Sequence, residues 1–255
     1  MYYKELLRVR KGFTICVLIL IGIAILFSVF GSGGHIRVEG AAKPGDLVPV
    51  AVIFAFASIA AAILGTIFGT GLSQENDGHL EIAWTMPASR TRYALTTMAI
   101  DLIAVFAVFL IASGLALGTA HVLHIDRYIA YPAGTWAQFL RFLIYPFAWY
   151  GLAQALTASV RSHGGAYAGF AWPAGFILFA LYGAPLAPEL HGLVRMLNLI
   201  NPVAYATVSV GSDSVGFINP ALPATAVALI ASGALLALGV AGSAAALFQW
   251  RRLEA

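Results

Sequence analysis

The sequence predicts an all-α integral membrane protein with six transmembrane helices. Three observations carry this. Of 255 residues, 60% are hydrophobic and only 10% are charged, against about a quarter charged in ordinary soluble domains. The apolar residues fall into stretches near the ~20 residues that cross a hydrocarbon core. The cations then divide unevenly between the connections.

The six predicted spans cover residues 13–30, 47–69, 97–120, 142–160, 167–183 and 224–248 within a single domain, 1–255. The first follows a basic start (Lys4, Arg8, Arg10, Lys11). Its apolar run is long for a signal peptide, and Phe30-Gly31 is a poor cleavage site, so it reads as a retained span. Residues 1–11, "MYYKELLRVRK", set aromatics and leucines against cations. That suits a short amphipathic N-terminal helix on the membrane surface, or an ordinary basic flank. Pro146 and Pro173, within spans four and five, predict kinks.

Six spans place both termini on one side. That side holds nine cations: Lys4, Arg8, Arg10, Lys11, Arg90, Arg92, Arg161, Arg251 and Arg252. The other holds five: Arg37, Lys43, Arg127, Arg141 and Arg195. The positive-inside bias makes the termini cytosolic. The formal charge of +3 then reflects basic cytosolic flanks. No basic patch interleaved with aromatics points to nucleic acid. The one cysteine, Cys16, can form no internal disulfide.

Small-xxx-small patterns, Gly65/Gly69, Gly114/Gly118 and Gly239/Ser243, suit close helix packing in lipid, within one chain rather than along a dimer seam.

The longest cytosolic connection contains "SQENDGHLEIAWTMPASRTRY", residues 73–93. Asp77 is placed to cap a short helix whose first turn carries Glu81. Pro87 ends it, and Ser89 starts the helix that becomes span three. Leu80, Ile82, Trp84 and Met86 would be apolar groups among charges. Two readings are open: a docking surface for a partner, or a helix lying flat on lipid headgroups.

The same stretch resembles the first cytosolic loop of ABC-2 type transporter permeases, through Glu75, Gly78, Leu80, Glu81, Pro87, Ser89, Arg90, Arg92 and Tyr93. Three further stretches agree: the basic segment before span one, "GLAQALTASVRSHGGAYAGF" at 151–170, and "LNLINPVAY" at 197–205. His79 and Thr96-Thr97 depart from the pattern. The resemblance implies the membrane half of an ABC exporter in the cell membrane, pairing with a second permease subunit and with cytosolic ATPase subunits. It implies a coupling helix seated on the ATPase, built from Glu75, Asp77, Gly78, His79, Leu80, Glu81, Trp84, Met86 and Pro87. ATP and Mg would belong to the partner. Independently, the chain contains no G-x-x-x-x-G-K-[ST] phosphate loop.

Tyr93, Thr97 and Asp101 recur every four residues, one stripe of helix three. Asp101 lies ~12 Å in from Tyr93, either on a translocation path or hydrogen-bonded to a neighbouring helix. His121, His124 and Asp126 allow a metal pair or an exposed interfacial group. No catalytic motif such as H-E-x-x-H or G-x-S-x-G occurs. The alternative class is a polytopic membrane enzyme or assembly factor that needs no ATPase.

Overall fold

A computed structural model describes residues 2–33, 48–72, 90–158, 171–175, 199–200 and 223–252. These form five long helices: α1 (Tyr2–Gly33), α2 (Val50–Gly69), α3 (Arg90–Val122), α4 (Thr135–Thr157) and α5 (Ala224–Arg252). Four stretches are long and apolar enough to cross a membrane: Glu5–Leu26, Val50–Gly69, Thr91–Val122 and Thr225–Arg252. The predicted coupling helix lies outside the described residues, as does most of the fifth predicted span.

The outer surface is apolar, unlike that of a water-soluble bundle. Ile103 (70% exposed), Leu110 and Val240 face outward, while Ser58, Thr97, Asp101, Gln154 and Thr157 are buried. An outward apolar surface suits lipid, in which backbone and side-chain polar groups must find partners inside the protein.

α4 occupies the middle, against α2 on one side and α5 on the other; α3 packs on α2, and α1 on α3. At one end of the bundle, the near end, Arg8 of α1 lies beside Gly71, and Arg251 donates to the Thr91 hydroxyl at 3.2 Å. At the far end, β1 (Val48–Pro49) pairs in parallel with β2 (Ile129–Ala130). There Gly134 also meets Thr225. Gln249 of α5 donates to the Ala155 carbonyl at 2.9 Å near the opposite end of α4. Hence α4 and α5 run parallel, both from the far end to the near end.

Local chemistry explains where the helices start and stop. Pro49, extended at φ −60° and ψ 136°, precedes α2, a place where its missing N–H leaves no ladder bond unmade. The Thr70 hydroxyl closes α2 by donating to the Ile67 carbonyl at 2.7 Å, satisfying a terminal acceptor. α4 starts from Gly134, at φ 90°, a left-handed conformation that glycine adopts without strain.

Pro146 stands inside α4 and has no N–H for the carbonyl of Phe142, four residues earlier. The Ser58 hydroxyl of α2 donates to that carbonyl at 2.8 Å. A helix-breaking residue is thus accommodated by a neighbour's side chain. Gly65, one face of the same contact, lets α2 approach the Pro146 carbonyl.

α4 and α5 meet through glycine. A Cβ on Gly151 would stand 2.5 Å from the Gly239 carbonyl oxygen, and one on Gly242 equally close to the Gly151 backbone. Gly69 likewise faces Ala153. Gly65, Gly69 and Gly239 therefore pack helices within the chain, whereas Gly114 and Gly118 have no neighbour within 4 Å among the described residues.

Two sequence expectations are corrected. The basic N-terminal stretch is not a separate surface helix: Tyr2–Gly33 is continuous, because no Pro or Gly pair breaks the ladder between Lys11 and the apolar run. The third helix begins at Arg90, directly after Ser89 as expected, and runs into the predicted span. The fourth begins at Thr135 rather than 142. That places Arg141 inside a helix, 2% exposed, with its guanidinium 5.7 Å from the Phe142 ring centroid, not in an outer loop.

Gly151→Ala will force two backbones apart and cost about 1–3 kcal/mol, as overpacking does. Gly114→Ala, in open space, will be neutral or stabilising by up to ~1 kcal/mol through helix propensity. Thermal unfolding of the two variants in detergent checks both.

Candidate functional site

The near end of the bundle encloses a cluster of polar side chains from three helices. Helical spacing builds each contribution. Glu5 and Arg8 are three residues apart on α1, so both reach one face; Tyr93, Thr97 and Asp101 line one stripe of α3; Tyr150 and Gln154 are one turn apart on α4.

Arg8 is the hub. Its Nε donates to Glu5 Oε2 at 3.0 Å, and its Nη2 to Asp101 Oδ1 at 2.6 Å. The remaining oxygens are held by phenols: Tyr93 donates to Glu5 Oε1 at 2.7 Å, and Tyr150 to Asp101 Oδ2 at 3.1 Å. Gln154 Nε2 donates to the Tyr150 oxygen at 2.6 Å. Glu5, Asp101, Thr97 and Gln154 have no exposed surface, and the Arg8 side chain retains 20%. The guanidinium fork suits this task, because its planar array of donors can serve two carboxylates at once. Glycine at 71 leaves room for it: a Cβ there would stand 2.5 Å from Arg8 Nη1.

Such an arrangement can hold charge within an apolar bundle, bind or pass a proton, and seat the start of α1 on α3. It contains no nucleophile–base pair of the kind that acyl or phosphoryl transfer needs. Two buried polar atoms beside it, Thr97 Oγ1 and Gln154 Oε1, have no hydrogen-bond partner among the described residues.

Of the residues singled out from sequence, Asp101 and Thr97 belong to this cluster. Glu75, Asp77, Gly78, His79, Leu80, Glu81, Trp84, Met86 and Pro87 lie outside the described residues. At the far end, His121 Nδ1 lies 3.0 Å from Asp126 Oδ2. That hydrogen bond draws the Asp126 carboxyl below its ordinary range. His124 adopts φ 56° in the turn after α3. Among the described residues, no group of three or more His, Cys, Asp or Glu side chains is placed to hold a metal.

Sequence reasoning missed Glu5, Arg8, Tyr150 and Gln154. Signals existed for each. Glu5 is an acid within an otherwise basic flank, at i,i+3 to Arg8, and Tyr150/Gln154 form an i,i+4 polar pair in an apolar segment.

Compared with models of known protein families, with curated proteins and with solved structures, the chain matches none.

Tyr150→Phe removes a donor to a buried carboxyl and the acceptor of Gln154, and will cost about 1–3 kcal/mol. Tyr131→Phe, 63% exposed, will stay within ~0.5 kcal/mol. Denaturant or thermal unfolding of each purified variant makes the comparison.

Proposed function

We propose that the chain is the membrane-spanning permease subunit of an ATP-driven ABC exporter in the cell membrane. It works with a second permease subunit and with cytosolic ATPase subunits that carry the ATP and Mg. The observation that carries this reading is the patterned stretch from Glu75 to Tyr93, with its Glu, Gly-x-Leu-Glu, Pro and Ser-Arg-x-Arg-Tyr elements.

The described helices add support. α2 closes at Gly69 and α3 opens at Arg90, so both ends of the intervening stretch lie at the near end. There, Arg92 and Arg251 are exposed. With Arg141 and Arg8 both drawn into the bundle, four cations remain on the outer side against eight on the side assigned to the cytosol. The positive-inside bias is kept.

A sixth crossing between α4 and α5 is part of the proposal. α4 ends near Ala155 and Gln249, whereas α5 begins near Gly134. One passage of the chain along the bundle reconciles these positions. The helical turn at residues 171–175 supports such a passage, because Trp172 stacks on Trp149 midway along α4 at 4.8 Å.

In this reading the helix around Trp84 transmits force. ATP-driven closure of the ATPase pair displaces it, and the displacement passes to α2 and α3, which flank it directly. Association of the ATPase with Trp84→Ala will be weakened by ~30-fold, the effect of losing an aromatic anchor worth ~2 kcal/mol, while membrane insertion is kept. Glu81→Ala will reduce transport-coupled ATP hydrolysis. Co-purification and ATPase assays read both. A chain that purifies with no ATPase, or both variants binding and coupling as the parent does, defeats the proposal. So does labelling of a cysteine at Gln74 only from outside the cell.

A further inference from the structure

We infer that the turn at residues 199–200 is the tip of a re-entrant segment that enters the bundle from the far end, and that Tyr145 and Trp149 form the catch holding it over a polar face of α4. Released, the turn opens that face to the far side. In the permease reading this is the outer gate; the catch itself needs no ATPase.

Depth gives the first reason. α2 serves as a ruler, because Val50–Gly69 carries no charge and its 20 residues measure ~30 Å, the thickness of a hydrocarbon core. α4 runs alongside it in the same direction: Ser58 meets the Phe142 carbonyl, Gly65 meets Pro146 and Tyr150, and Gly69 meets Ala153. Tyr145 and Trp149 therefore stand level with Ala61 and Gly65, ~17 and ~22 Å from the far end of the ruler. Helical side chains lean towards the N-terminus of their helix, here the far end, so both tips lie near the middle of the membrane. Both hold one atom. Tyr145 Oη donates to the Ile200 carbonyl at 2.8 Å, and Trp149 Nε1 donates to it at 2.9 Å. Leu199 and Ile200 form a turn, not a helix, and each is only 8% exposed. Irregular backbone at this depth must be satisfied by the protein, since no water is there to do it. A carbonyl oxygen has two lone pairs, and the two donors fill both.

The side of entry follows from the neighbouring described residues. Trp172 stacks on Trp149, so the chain stands at that level after leaving α4 at the near end. Residues 172–183 are uncharged and apolar. As a helix they rise ~18 Å, most of the ~22 Å that separates Trp149 from the far end. Pro185 and Pro188 follow, and proline favours a turn. α5 starts at the far end, where Gly134 meets Thr225. The chain thus comes to Ile200 from the far side and goes back to it.

The covered face of α4 is unlike a lipid-facing one. α4 gives Pro146, Tyr150 and Ala153 to α2, and Phe147, Gly151 and Ala155 to α5. Arg141, Tyr145 and Trp149, spaced i, i+4 and i+8, take the remaining side, and all three are buried. Arg141 lies one turn nearer the far end than Tyr145. A face that stayed dry would be as stable or more so with hydrophobic residues in place of a guanidinium. Arg, Tyr and Trp in one stripe suit a face that meets water or an amphipathic cargo when the turn lifts. The catch consists of two neutral hydrogen bonds, so it opens without carrying a charge through the bilayer.

Thiol labelling tests this, with Cys16→Ala removing the native thiol and a membrane-impermeant reagent applied to either face of vesicles. Tyr131→Cys, exposed at the far end, marks the far side. Ile200→Cys leaves the carbonyl in place and will react slowly, faster from the side that Tyr131→Cys reports than from the other. Tyr145→Phe together with Trp149→Phe removes both donors and will raise the far-side rate by ~10–30-fold, the effect of losing two neutral hydrogen bonds. Tyr145→Phe alone loses only a hydroxyl and tests the catch even where the double variant fails to fold; it will raise the rate ~5-fold. Ile200→Cys reacting as fast as Tyr131→Cys with the catch intact overturns the inference. So does faster reaction from the near side, or a rate indifferent to both sets of substitutions. None of these measurements involves an ATPase. A missing ATPase partner therefore sinks the permease reading alone, and a failed labelling test sinks the catch alone.

Discussion

One guanidinium sets the terms for this bundle. Arg8 reaches from the first helix to Asp101 on the third while gripping Glu5 on its own. Most of α1 faces outward: only 6% of its most apolar window is buried. Lipid is as apolar as a leucine side chain, so apolar contact alone does little to hold one helix on another within a bilayer. Packing of Val9 and its neighbours gives α1 a modest apolar seat. The ion and hydrogen-bond contacts at Glu5 and Arg8 supply direction and register. A buried group of this kind is costly to break and only modestly favourable to make. Its value here is specificity, because it fixes which turn of α1 meets which turn of α3.

The rest of the bundle follows a complementary logic, in which small residues and donated hydroxyls let backbones come close. Ser58 serves the carbonyl that Pro146 frees, and Thr157 serves Ala153 on its own helix. Tyr145 and Trp149 both donate to the Ile200 carbonyl, at 2.8 and 2.9 Å. These buried polar groups find partners inside the protein, as an environment without water demands. Glycines at 65, 69, 151, 239 and 242 make those approaches possible. α4 collects contacts on both sides, and its inward face is correspondingly rich in Tyr, Trp, Gln and Thr.

How much of this is legible in the sequence depends on the range of the signal. Long apolar runs disclose α2, α3 and α5 with small boundary errors, since hydropathy accumulates over many residues. The start of α1 escapes such a reading because cations normally mark a membrane surface, and nothing local reveals that Glu5 and Arg8 turn inward towards Asp101. Arg141 escapes it for a related reason: a lone arginine near a predicted boundary reads as a flank. The stripe Tyr93–Thr97–Asp101 is visible at helical spacing. Its partners Tyr150 and Gln154 show only as an i,i+4 polar pair, and which helix they meet is a tertiary fact that no spacing encodes. The polar stretch around Trp84 stands out by composition alone, and the proposed permease function rests on its pattern.

Direct coupling between Arg8 and Asp101 is what the bundle depends on most, and a double-mutant cycle measures it. The substitutions are Arg8→Met and Asp101→Leu, alone and together, with unfolding free energies taken in one detergent. If the two side chains hold each other, the double variant will be more stable than the sum of the single losses predicts, by about 1 kcal/mol or more. Additivity to within ~0.3–0.5 kcal/mol, the behaviour of distant and independent sites, would mean that α1 is not seated by this contact and would contradict the central claim.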